Sequence, residues 1–184
     1  MKCLVLGGSK SGKSYFSQET AKRLSQNGGG LFYLATMNPV DSEDQRRIAR
    51  HRAERAGWGF ETLEYPRRIT DAAKRLDSSS VLLLDSVTSL LTNEMFTETE
   101  IRIGVENSIF DDISAVTDRT GDIVLVSDLL FSDALFYDKA TEGFRRGLGH
   151  LNQRLAELCD TVVILRQSMP QYIKGTPFPK GETE

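Results

Sequence analysis

The chain has 184 residues, 39% of them hydrophobic, enough to bury a sizeable core in one domain. Its formal net charge of −3 argues against wholesale binding to nucleic acid or to an anionic membrane surface. The two cysteines make neither a metal-like pair nor a disulfide framework, which implies a reducing, cytoplasmic setting, and the apolar run in "MKCLVLGG" is too short for a signal peptide or a membrane span.

The first predicted element is a strand over 2–6, "KCLVL", apolar throughout as a strand buried on both faces should be. "GGSKSGKS" follows at once, and Gly7, four residues, then Gly12, Lys13 and Ser14 is the spacing of a phosphate-binding loop. Glycine is needed there because a Cβ would hold the backbone off the phosphate oxygens and because some positions want a positive φ. The N–H groups of Gly7, Gly8, Ser9, Lys10, Ser11 and Gly12 are expected to wrap the anion. Lys13 would neutralise the β- and γ-phosphates, Ser14 would offer its hydroxyl to Mg²⁺, and a helix over 12–26 would aim its positive end at the same place. A plain flexible glycine turn is the alternative; the agreement of strand, motif and helix favours nucleotide binding.

Further along, strands are predicted over 31–36, 80–85, 122–127 and 161–166, and helices over 42–56, 68–77, 87–96, 99–118 and 139–159. "GWGFETLEYP" (57–66) can add a short edge strand, and the "TPFPKGETE" tail is expected to lie loose or along the surface. Strands alternating with helices predict a mostly parallel sheet covered on both faces, a three-layer α/β/α domain spanning 1–184. Ligands of such sheets sit beyond the carboxyl ends of the strands. That rule selects the glycine loop, "ATMNPVD", Asp85 with Ser86, "SDLLFSD" and "RQSMP".

Asp85 ends a run of apolar residues, where phosphate-loop proteins keep an acid for Mg²⁺; the same residue could instead cap the next helix. In "EDQRRIARHRAER" (43–55), Arg46, Arg47, Arg50, Arg52 and Arg55 crowd round His51. Helical spacing stacks Arg47, His51 and Arg55 on one face, with Ile48 beside them as an anchor to the core. An imidazole among cations is kept neutral and nucleophilic, and the same cations can hold a phosphate against it. The competing reading is a solvated basic helix face. Trp58 and Phe60 read as packing residues, His150 as a helix-surface residue, and Phe131, Phe136 and Tyr137 as core or an apolar contact patch.

Together these pieces resemble the bifunctional adenosylcobinamide kinase / adenosylcobinamide-phosphate guanylyltransferase family of cobalamin assembly. "LVLGGSKSGKS" is similar to its opening strand and loop, with Lys10 at a usual arginine, and "FYLAT" to its second strand. "RIARHRAERAGWGFETLE" resembles the stretch whose histidine accepts GMP, and His51 falls on that histidine. "LLLDSVTSLLTN" brings Asp85, Thr88 and Asn93 into register, and "FRRGLGHLNQRLAELCDTVVIL" brings Arg145, Asn152 and Gln153. The resemblance implies a RecA-like phosphate-loop fold, GTP or ATP with Mg²⁺, a cobinamide acceptor and a ring-like trimer. The candidate nucleotide-binding set is the loop from Gly7 to Ser14 together with Thr36, Arg47, Arg52 and Asp85, with Lys13 and His51 as the catalytic pair.

After the fourth strand the likeness breaks. Asp128 stands where the family has asparagine, Leu129 where it has glutamate, Phe131 and Asp133 at glycines, Phe136 at a proline and Glu142 at an arginine. Two alternatives therefore stay open: a phosphate-loop kinase of another small alcohol, with the His51 helix acting only as a basic clamp, and a nucleotide-binding switch or assembly subunit without catalysis.

Overall fold

The computed structural model describes residues 1–130, 135 and 137–178, leaving aside the side chains of Asn27, Arg47 and Glu54. Phe131, Asp133 and Phe136 thus lie outside the described residues.

Seven strands form one sheet: β1 (Lys2–Gly7), β2 (Leu31–Ala35), β3 (Glu61–Glu64), β4 (Val81–Asp85), β5 (Asp122–Asp128), β6 (Thr161–Arg166) and β7 (Met169–Lys174). Their order across the sheet is β3-β2-β4-β5-β1-β6-β7, every neighbouring pair parallel except β6 with β7. The helices are α1 (Lys13–Leu24), α2 (Ser42–Arg55), α3 (Val87–Met95), α4 (Glu106–Thr117) and α5 (Lys139–Leu158). The pleat explains why the central strands are apolar throughout, since alternate residues enter two separate cores. Leu4, Leu6, Leu82, Leu84 and Leu125 pack with Leu90, Ile113 and Leu151 of α3, α4 and α5. Cys3, Val5, Leu83, Val124 and Val126 pack with Ala21 of α1 on the other face. Both faces are covered, as the three-layer expectation requires.

The differences from expectation are local. The stretch over 68–77 folds as a 3₁₀ segment, Ile69–Arg75, and the helix expected from 99 begins only at Glu106. Before it, Phe96 and Ile101 form an antiparallel bridge, closed by the Thr97 N–H donating to the Glu100 carbonyl at 3.0 Å. "GWGFETLEYP" does supply the edge strand β3. No sequence signal marks the strand β7: "MPQYIK" is half of a hairpin on the opposite edge, largely exposed and carrying Pro170, so it shows neither an apolar run nor alternation. Beyond it Phe178 packs against Phe16 and Tyr172, with ring centroids 6.4 and 6.1 Å apart, so the start of the tail lies along the surface.

Candidate nucleotide-binding site

The strand β1 ends at Gly7, and the loop turns through two left-handed residues, Lys10 at φ 56° and Gly12 at φ 88°, before α1 begins. The helices α2, α3 and α5 are capped by the side chains of Asp41, Ser86 and Asp138, whereas Gly12 caps α1 with no side chain. The first-turn N–H groups of α1 therefore face the loop without a side-chain acceptor, which suits an anion. Lys13 Nζ donates to the Gly8 carbonyl at 3.0 Å and pairs with Asp128 Oδ1 at 2.8 Å.

A cavity of ≈ 1060 Å³ opens beyond the strand ends. Its wall joins Ser9, Lys10, Lys13 and Ser14 of the loop, Asp85 and Asp128 at the ends of β4 and β5, and His51, Arg52 and Arg55 of α2. Of the five segments that the strand-end rule selects, the first four line this cavity. "RQSMP", by contrast, forms the β6–β7 turn and does not line it; its Ser168 N–H donates to the Ser11 carbonyl at 2.9 Å, bracing the phosphate loop from behind.

Asp85 does not cap α3. Ser86 does, its Oγ accepting from the Ser89 N–H at 3.1 Å. The Asp85 carboxylate faces the cavity and accepts from the Tyr33 hydroxyl at 2.8 Å. With the Ser14 hydroxyl on the same wall, the donor set is hard oxygen throughout, which fits Mg²⁺. Among the described residues no group of three or more His, Cys, Asp or Glu is placed to hold a metal ion.

The helix α2 lies over the cavity rather than in the core. Ile48 does not anchor it: that side chain lines the cavity. The buried residue of α2 among those described is Arg55, 7% exposed, its guanidinium 3.5 Å from the centre of the Tyr33 ring. Tyr33 thus ties the histidine helix to Asp85. One turn before Arg55, His51 is half-buried and faces the same cavity. Arg52 also lines it but is held in an ion pair with Glu64. The Arg47 side chain lies outside the described residues.

Thr36 has a different place from the one its inclusion in the nucleotide set implies. It is fully buried, its hydroxyl donating to the Ser86 carbonyl at 2.7 Å and accepting from the Ser86 N–H at 2.8 Å, and it is absent from the cavity wall. The residues in family register after β4 are struts of the same kind. Asn93 Nδ2 donates to the carbonyls of Thr36 and Pro66 at 2.7 and 2.8 Å. Thr88 Oγ1 accepts from the Asp128 N–H at 2.9 Å, and Asn152 Nδ2 donates to the Asp128 carbonyl at 3.1 Å. Leu129 packs against the core, and Arg145 donates to Glu142 at 2.9 Å. Among the remaining residues, Phe60 stacks edge-on to Tyr33, Trp58 edge-on to Tyr15, and His150 is exposed on α5.

Sequence reasoning set Arg55 on the face of His51 and Asp128 in the selected "SDLLFSD" stretch without placing either in the nucleotide set, and did not single out Tyr33. Arg55 carried a signal, the one-turn spacing from His51; Tyr33, inside an apolar strand, carried none.

The fold and the loop define a phosphate-loop nucleotide-binding protein of RecA-like type. Two solved structures share this architecture. One is an ATPase domain that superposes with a TM-score of 0.53 at 13% identity, covering 89% of this chain and 68% of that one. The other, the flagellar accessory protein FlaH from Methanocaldococcus jannaschii, gives 0.51 at 10% identity, covering 95% and 78%. Residues 3–173 match the cobinamide kinase / cobinamide phosphate guanyltransferase family, and the chain belongs to it. It is 31% identical over 180 residues to the bifunctional adenosylcobalamin biosynthesis protein CobP of Pseudomonas aeruginosa, over 97% of this chain and 100% of that one. No helix among the described residues is long and apolar enough to cross a membrane.

Proposed function

We propose that this protein phosphorylates adenosylcobinamide with a nucleoside triphosphate and then transfers GMP from GTP to the resulting phosphate through a guanylylated His51. One observation carries the reading: the phosphate loop, the Asp85 carboxylate and His51 all face a single cavity large enough for a nucleotide.

In the kinase step the loop amides and Lys13 hold the β- and γ-phosphates in line with the acceptor hydroxyl, so positioning and charge neutralisation supply most of the acceleration. Ser14 and Asp85 would hold Mg²⁺, which when bound neutralises charge on the phosphates. In the guanylyl step the imidazole of His51 attacks the α-phosphorus of GTP. A nitrogen–phosphorus bond forms, the bond to the bridging oxygen breaks and pyrophosphate leaves; the acceptor phosphate then takes GMP from the imidazole. Arg55, turned to the cavity one helical turn away, supplies donors for the charge that grows on the phosphoryl oxygens.

Incubation with Mg²⁺ and α-labelled GTP should leave an acid-labile, base-stable label on the wild-type chain and none on His51→Asn. With γ-labelled nucleotide, adenosylcobinamide should be phosphorylated by both. A label that persists in His51→Asn overturns the histidine assignment. Phosphorylation of another alcohol in place of adenosylcobinamide overturns the acceptor, and nucleotide binding without transfer of either kind overturns the enzyme.

A further inference from the structure

We propose that Asp128 is the group that takes the proton from the acceptor hydroxyl during γ-phosphoryl transfer. The inference rests on the kinase half of the reading above and is specific to this chain, whose Asp128 stands where the family has asparagine and whose Leu129 stands where the family has glutamate.

Four observations converge on this carboxylate. It belongs to the last residue of β5, paired in the sheet with Gly7 at the mouth of the phosphate loop. The Asp128 backbone is fixed from two further sides, its N–H donating to Thr88 Oγ1 and its carbonyl accepting from Asn152 Nδ2. The carboxylate is turned to the cavity, 26% exposed, and bonds Lys13 Nζ at 2.8 Å. Its neighbour Leu129 goes to the core, so Asp128 is the group that β5 presents to the site.

The ammonium geometry converts that ion pair into a catalytic position. Lys13 uses two of its three N–H bonds, one to the Gly8 carbonyl and one to Asp128, and keeps the third for a phosphate oxygen. Two acceptors on one tetrahedral ammonium stand about 4.6 Å apart at ordinary hydrogen-bond lengths. An acceptor hydroxyl can fit between them, within hydrogen-bond reach of the carboxylate and close to the γ-phosphorus. Asp85 is less suited, because its carboxylate stands with the Ser14 hydroxyl as an oxygen donor for the cation.

In the transfer step the acceptor oxygen forms a bond to the γ-phosphorus while its proton passes to an Asp128 carboxylate oxygen. The bond from the γ-phosphorus to the β–γ bridging oxygen breaks, and its electron pair leaves with the nucleoside diphosphate. Asp128 then returns its proton to water. Guanylylation of His51 does not use the carboxylate.

The test compares Asp128→Asn and Asp128→Glu with the wild-type full-length chain in Mg²⁺. Three readouts are needed: binding of a fluorescent GTP or ATP analogue, γ-phosphoryl transfer to adenosylcobinamide and to water, and α-label incorporation on His51. Asp128→Asn should lower kcat for γ-transfer about 100-fold, the low end for a lost general base, with nucleotide KM unchanged or reduced. The glutamate variant should restore part of the rate, and His51 labelling should stay within a factor of about three as the check on folding. Tighter nucleotide binding in Asp128→Asn with kcat unchanged would make Asp128 a mere counterion of Lys13 and overturn the proposal. Loss of all three readouts in both variants would assign it to the fold instead. A wild-type chain that transfers no γ-phosphoryl group, to acceptor or to water, would overturn the kinase reading itself.

Discussion

Arg55→Met separates a structural from a functional role for the buried guanidinium. The stack on Tyr33 at 3.5 Å is worth about 2 kcal/mol if fully desolvated. Opposing it is the cost of keeping a cation at 7% exposure: the neighbouring ion pairs join Arg52 to Glu64 and Arg75 to Glu61, and among the described residues none includes Arg55. That cost is roughly several kcal/mol per ion even after relaxation, so the charge destabilises the nucleotide-free fold. Methionine keeps an unbranched stem on the ring, with a sulfur–aromatic contact of about 1 kcal/mol and no charge. The variant should therefore match or exceed the wild type by about 1 kcal/mol, a rise in Tm of about 2–4 °C for a chain of this size. It should at the same time lose a charge-assisted contact to phosphate of about 1.5–3 kcal/mol, slowing guanylylation of His51 by about 10–150-fold. Thermal unfolding by circular dichroism without nucleotide, beside the rate of α-label uptake, measures both. A fall in Tm of more than about 4 °C with the labelling rate intact would refute the argument, because Arg55 would then be a clamp and not an anion ligand.

Gly12→Ala places a Cβ at φ 88° and 2.7 Å from Ser168 Oγ; it should cost about 2 kcal/mol and abolish triphosphate binding, read by urea unfolding and calorimetry. Asn93→Ala removes two donors to the Thr36 and Pro66 carbonyls and should lower the unfolding free energy by about 2–3 kcal/mol, with nucleotide affinity reduced as the loops after β2 and β3 loosen. Burial pushes the thiols of Cys3 and Cys159 up to about 12 from 9.0. Both stay protonated in the fold while the unfolded chain ionises above pH 9, so their stabilisation is complete below that pH and is lost as pH rises toward 12. By pH 10 each thiol should cost about 1 kcal/mol of stability, detectable in Tm against a Cys→Ser control. Neither thiol should react with an alkylating reagent at pH 8 until the chain is unfolded.

What the sequence by itself determined is whatever local chemistry dictates. Gly7, Gly12, Lys13 and Ser14 read as a phosphate loop because glycine spacing and backbone geometry are contained in one short segment. The strands β1, β2, β4, β5 and β6 read as buried because burial on both faces leaves an unbroken apolar run. Asp85 stood out because a charge closing such a run has few places to go. Everything that depends on non-local contact was decided by the tertiary structure: the strand order, the hairpin that backs the loop, and the withdrawal of Thr36 into a buried strut. The same holds for the two contacts on which the chemistry turns, Lys13 with Asp128 across 115 residues and Arg55 over Tyr33 across 22. A sequence shows each of these side chains as a charge or a ring, but only sheet register and helix placement decide which charge meets which partner.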